Sequence, residues 1–204
     1  NEGKEPVRAV DHRRIEIAAK MIEADPQLCK AFTGGFPEVS IFFYDRETGV
    51  PCKARIDYLK MNAFVDLKSF SGRDRPVSRE IDFAIAGQKT YIAVAFYTRA
   101  IAAAKDLIRR HGASAVHGAE DPSWFLKWAA VKDDPTPLYI WQKVGGAPVT
   151  RGRVMTRGSV YEVTDIHNRQ LMRKWRRCAE TYGALPWLDV AAIEQTVDES
   201  IPLS

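Results

Sequence analysis

The 204-residue chain is 46% hydrophobic and 27% charged, with 30 Lys and Arg against 26 Asp and Glu and a formal net charge of +4. That is ordinary globular composition: it excludes a disordered or fibrous protein, and with no run of 18 uncharged apolar residues it excludes a membrane-spanning helix. Three widely separated cysteines, Cys29, Cys52 and Cys178, exclude a dense disulfide scaffold, a CxxC metal pair and a four-thiolate iron–sulfur cluster.

The length suits one domain over 1–204, with helices in 1–35, a central core in 36–155 and a basic helix and tail in 156–204. Asn1 to Glu5 is polar and has no apolar signal core, and the three cysteines are expected to be reduced, as in a cytoplasmic protein. Asp11 is expected to cap a helix running to about Glu23, with Ile15, Ala18, Ala19 and Ile22 on one face. Asp25-Pro26 reads as the cap and first-turn proline of a short helix that ends before Gly34-Gly35. Three strands follow: Phe36 to Tyr44, Pro51 to Leu59 after a turn at Asp45–Gly49, and Ala63 to Phe70 after a turn at Lys60–Asn62. Short turns make them an antiparallel meander.

Beyond the loop Gly72 to Pro76, Ser78 is expected to cap a single long helix to about Arg110, ended by His111-Gly112. Its alanines (Ala93, Ala95, Ala100, Ala102, Ala103 and Ala104) suit close packing on a sheet. Asp121-Pro122 starts a short helix through Trp124, Phe125 and Trp128. Leu138 to Val144 is a fourth strand, which Gly145–Pro148 turns toward Val149 to Met155. Thr164 or Asp165 caps a basic helix to about Thr181, and Asp189 caps a last one. The fold class is α/β, a central mixed sheet flanked by helices. The five tryptophans at helix and strand positions are expected in the core rather than on DNA bases.

Chemistry concentrates on the second and third strands. Strand alternation puts Asp66 and Lys68 on one face, and the short turn brings Asp57 alongside them. Ile56, Val65 and Leu67 are expected to pack the opposite side. Two carboxylates and an ammonium then converge, a set that suits Mg²⁺, with Mn²⁺ as a substitute, because such ions take hard oxygen ligands and keep several waters. Asp57, Asp66 and the Leu67 carbonyl would hold the ion, and Lys68 would orient or deprotonate an attacking water. An acid-x-Lys triplet alone says little, since about one arises by chance in such a chain, and Glu2-Gly3-Lys4 is another. The strand-borne Asp57 and the aliphatic flanks give this one its weight. Basic residues form three groups: Lys68, Arg73, Arg75 and Arg79; Arg151, Arg153 and Arg157; and Arg169, Arg173, Lys174, Arg176 and Arg177.

The stretches Phe36-Pro37-Glu38-Val39-Ser40, Thr48 to Asp57 and Val65-Asp66-Leu67-Lys68-Ser69 resemble the exonuclease VIII (RecE-type) nucleases of the PD-(D/E)XK superfamily. The likeness continues in Ala95-Phe96-Tyr97, Tyr139 to Lys143 and Ala147-Pro148, and more loosely in Trp175, Cys178, Pro186-Trp187 and Ile201-Pro202-Leu203. The resemblance implies a restriction-endonuclease-like core and a Mg²⁺-dependent exonuclease that digests duplex DNA ends in recombination, repair or phage DNA processing. It implies catalytic roles for Asp57, Asp66 and Lys68 and a metal or supporting role for Glu38. Related enzymes carry a Gln followed by Tyr four residues on. Gln88 and Tyr91, three apart, are the DNA-contact candidates on one expected helix face, with Arg73 and Arg75 nearby. His12 lies too close in sequence to Asp57 to match the family's N-terminal histidine ligand. A bacterial or phage source, a homo-oligomeric ring and a single-strand annealing partner are implied as well. Two other readings stay open: an endonuclease on the same core, and a catalytically inactive DNA- or protein-binding module.

Overall fold

The β-branched and aromatic residues of Phe36–Tyr44, Pro51–Leu59 and Ala63–Phe70 favour extended backbone, and the polar turns between them reverse the chain. The computed structural model describes residues 8–72, 75–145, 147–156 and 158–183, and in it these segments are strands β1, β2 and β3 of an antiparallel meander. Strand β4 (Thr136–Lys143) lies parallel to β3, and β5 (Thr150–Val154) pairs antiparallel with β4. The mixed sheet therefore has five strands in the order β1-β2-β3-β4-β5. Arg73, Gly146, Arg157, the helix expected from Asp189 and the tail from Pro186 to Leu203 lie outside the described residues.

Helices cover both faces. On one, α2 (Pro26–Ala31) sets Leu28 and Ala31 against Val65 and Ile140. The Asp25 side chain accepts hydrogen bonds from the amides of Gln27 (2.8 Å) and Leu28 (3.2 Å), with proline next in line, as expected. Helix α1 (Ala9–Ala24) starts two residues before the expected cap. Asp11 sits inside its first turn, where it pairs with Arg8 at 2.6 Å and meets the positive end of the helix dipole. None of α1 is buried; of its expected apolar face, Ile22 packs on the small cluster, while Ile15 is exposed.

The single long helix is two helices, α3 (Val77–Gly87) and α4 (Thr90–His111). The joint is Gln88-Lys89, where Lys89 adopts φ 51° and the Gln88 amide side chain donates to the Ser69 carbonyl at 2.8 Å. Periodicity hides this break because Ile81 and Ile85 before it and Val94, Ile101 and Ile108 after it join one apolar cluster. Ser78 lies within the first turn, and Pro76 takes the capping position. The other end is as expected: α4 stops at His111, and Gly112 holds φ 62°.

Fully buried Ala95 and Ala100 let α4 lie close to β1 and β2, with α5 (Ser123–Ala130) and α6 (Ser159–Tyr182) packed beside it. Helix α6 begins at Ser159, so neither Thr164 nor Asp165 caps it. The Thr164 hydroxyl instead donates to the Val160 carbonyl at 2.6 Å, and Asp165 pairs with Arg169 at 2.7 Å. Trp124, Trp128 and Trp141 belong to the large cluster under α4, in agreement with a core role, whereas Trp175 on α6 is exposed and Trp187 lies outside the described residues.

Helix α2 is short and braces β3 from behind, so its cap carries a measurable share of its stability. Replacing Asp25 by Ala is expected to cost about 1 kcal/mol in chemical denaturation; an unchanged midpoint would show that the cap contributes nothing.

Candidate active site

Asp57, Asp66 and Lys68 are brought together by a defect in the sheet. The β2–β3 ladder pairs Leu59 with Phe64 and Tyr58 with Val65, and there its backbone pairing ends. Beyond it the Leu67 amide donates to Asp57 Oδ2 at 2.8 Å, a side chain standing where strand backbone would pair. The β1–β2 ladder is interrupted at the same level: one register runs from Phe36↔Leu59 to Tyr44↔Pro51, and the one missing step is Glu38–Asp57. Glu38 has φ 57°. Both strands change faces across this step, for Ile56 and Leu59, three apart in a period-two element, belong to the same core cluster.

Asp66 and Lys68 share a face as expected, with Lys68 Nζ 2.6 Å from Asp66 Oδ2. Their surroundings differ sharply: the Asp66 side chain is 1% exposed and that of Lys68 is 30% exposed. Among the described residues no other hydrogen-bond donor meets either Asp66 oxygen. Burial pushes the Asp66 carboxyl up to about 6, against the pull of Lys68 and with a further push from the Asp57 charge. The expected apolar backing is only partly realised. Ile56 and Val65 are fully buried, in the two different clusters, whereas Leu67 is 46% exposed.

Three aromatic residues complete the site, and the sequence assigned them no role. The parallel pairing sets Tyr139 beside Asp66 and Trp141 beside Lys68. The Tyr139 hydroxyl and the Trp141 indole nitrogen are buried without hydrogen-bond partners. Burial and then the Asp66 charge raise the Tyr139 phenol, and the same causes push that of Tyr97, on α4, up to about 12. Both stay neutral donors beside the acids. A β3–β4 register joins residues more than 70 apart in the chain, and no local pattern announces it.

The remaining candidates lie elsewhere. Glu38 is exposed and forms an ion pair with Arg55. Gln88 caps α3 and Tyr91 belongs to α4, so the helix break removes the shared face expected of them. Gln88 still reaches the end of β3 through Ser69, while Tyr91 packs on the core. The Arg75 guanidinium lies 4.3 Å from the centre of the Phe83 ring. Among the basic groups, Arg153 pairs with Asp82, and on α6 Arg169, Arg173 and Arg176 pair with Asp165, Glu47 and Glu180.

Among the described residues no group of three or more His, Cys, Asp or Glu side chains is placed to hold a metal ion. Two carboxylates remain as donors. Asp66, buried with one cationic partner and otherwise unpaired oxygens, is chemically suited to a hard divalent cation, and Asp57 supplies a second carboxylate on the adjoining strand. The residues present therefore fit a small oxygen-ligated ion with few protein ligands.

No protein-family model and no curated protein sequence matches the chain. The fold is similar to the crystal structure of a candidate exonuclease from Eubacterium rectale, with a TM-score of 0.54 and 13% sequence identity. The match covers 99% of this chain and 66% of that protein, just under two thirds of its length. At that identity the likeness shows a shared fold, a five-strand α/β sheet flanked by helices of the kind found in that protein.

The Asp66 shift has a sign that can be measured. Its folded-state value lies above the unfolded one, so the native state binds the proton more tightly, and stability falls as pH rises from about 4 to about 6. The cost is then complete, roughly 3 kcal/mol for a group this buried. In metal-free buffer Asp66→Asn is expected to unfold at higher temperature than wild type at pH 8, with the difference closing toward pH 4. A variant less stable than wild type at pH 8 would contradict this.

Proposed function

We propose that the chain is a divalent-metal-dependent deoxyribonuclease of the PD-(D/E)XK, RecE-like type that hydrolyses phosphodiester bonds from duplex DNA ends. The observation that carries this reading is a buried carboxylate with an ammonium 2.6 Å away, at the point where two strands part and a second acid enters. The fold shared with a candidate exonuclease supports it. Asp57 and Asp66, with the Leu67 carbonyl, would hold Mg²⁺ or Mn²⁺. That ion, when bound, supplies Lewis-acid polarisation of the scissile phosphate and charge stabilisation of the leaving oxygen.

The chain's own residues do the rest. Lys68 Nζ, anchored by Asp66 yet partly open to solvent, orients the attacking water and donates toward the phosphate. Tyr139 and Tyr97 keep their protons, so they add no charge against an approaching phosphate. Basic residues on the exposed surface follow the DNA backbone without reading sequence, so binding should weaken steeply with salt. The same resemblance extends the proposal to a homo-oligomeric ring and a single-strand annealing partner.

One observation favours a second reading, an inactive binding module of the same fold: the described residues offer two grouped acids and not three. Calorimetric titration with Mn²⁺ separates the two, because a module without a metal site gives no heat of binding.

The direct test is digestion of end-labelled linear duplex in Mg²⁺. Asp66→Ala and Lys68→Ala are each expected to lose at least about a hundredfold in rate. Activity that survives both substitutions ends the proposal. A closed circular substrate distinguishes exonuclease, which leaves it intact, from endonuclease.

A further inference from the structure

Glu38 occupies a conformation that its side chain does not explain. At φ 57° it lies in the left-handed region, which costs an L-residue roughly 1–2 kcal/mol and in which glycine and asparagine are at home. Its carboxylate turns outward to Arg55, an exposed pair of the kind that contributes little to stability. Its backbone stands opposite Asp57, at the one step missing from the β1–β2 register. Val39 packs on the large cluster, and Phe36, three residues before it, packs its ring against Trp124 and Phe125 of the same cluster. An undistorted strand would send those two residues to opposite faces. Across the ladder, Ile56 and Leu59 make the same switch. Asp57 is the residue released by it, and its carboxylate reaches across to the Leu67 amide of β3.

We propose that Glu38 is a positioning residue acting through its backbone: its left-handed conformation kinks β1, makes β2 change faces at Asp57, and so aims the Asp57 carboxylate at β3 beside Asp66. The inference rests on the reading of Asp57 as a working acid of the proposed nuclease. It assigns the requirement at position 38 to φ and not to the carboxylate, the opposite of what a metal-ligand role demands. A left-handed residue in one strand shifts the alternation of that strand, and the paired strand follows to keep its register.

The two roles separate by substitution. Glu38→Gly and Glu38→Asn remove the carboxylate and suit the conformation, whereas Glu38→Val keeps the strand propensity and resists a positive φ. Three quantities are read: kcat/KM on end-labelled linear duplex, Mn²⁺ affinity by calorimetry, and hydrogen-exchange protection of the Leu67 amide by nuclear magnetic resonance. The Gly and Asn variants are expected within about threefold of wild type in all three, and the Val variant to lose about tenfold or more in kcat/KM together with its Leu67 protection. The proposal is overturned if Gly and Asn lose about tenfold or more while Leu67 stays protected, for the carboxylate is then the working group. It is equally overturned if Val matches wild type. Should Val not fold, the Gly and Asn variants decide by themselves. Wild-type protein that leaves linear duplex uncut refutes the nuclease reading, while Leu67 protection still decides the conformational one.

Discussion

The hydrogen bond from the Leu67 amide to Asp57 Oδ2 lies where the sheet comes apart, and the geometry of the acids depends on that parting. A regular antiparallel ladder would tie β2 to β3 along their whole length and leave no room between the strands. Here the backbone pairing covers Tyr58↔Val65 and Leu59↔Phe64 alone, at the end nearest the turn. Past it the strands are linked by a side chain, so the sheet stays connected there without a backbone ladder. The Asp57 carboxylate satisfies the amide that a backbone carbonyl of β2 would otherwise meet.

Among the described residues the single close partner of the Asp66 carboxylate is Lys68, and its burial disfavours ionisation. Tyr139 and Trp141 on β4 add buried polar atoms without partners on the same side of the sheet. A core selected for stability alone would not gather these groups. Unsatisfied polarity clustered at one level of a sheet departs from local rules, and here it coincides with the one step missing from the β1–β2 ladder.

Charge is divided between work and structure in a way that a residue count does not reveal. Helix α6 reads as a basic ribbon, yet Arg173 pairs with Glu47, Arg176 reaches the Thr48 carbonyl, and Arg169 lies 3.9 Å from Glu47. Arg99 on α4 bridges Asp45 and Asp165. These contacts clamp α6 to α4 and to the β1–β2 turn, on the far side of the hairpin from Asp57. Much of the positive charge of this helix is thus committed to docking it, and the net excess available to a polyanion lies in other exposed residues.

The meander was legible because its signals are local: aromatic and β-branched runs, polar turns, and a side-chain period of two that places Asp66 and Lys68 together. The Asp25-Pro26 cap and the Gly112 stop are equally local. Three features were not. The break at Lys89 interrupts a helix whose apolar stripe continues across it, so periodicity passes through unaltered. The parallel partner of β3 comes from beyond three helices, α3, α4 and α5, and with it Tyr139 and Trp141. The kink at Glu38 and Asp57 is invisible to a period-two reading, which presumes the regular alternation that the kink violates. Sequence alone determined which residues can carry the chemistry, because residue type and spacing are written along the chain. Tertiary structure decided how they meet, because a strand's facing and an acid's burial depend on neighbours that only folding supplies.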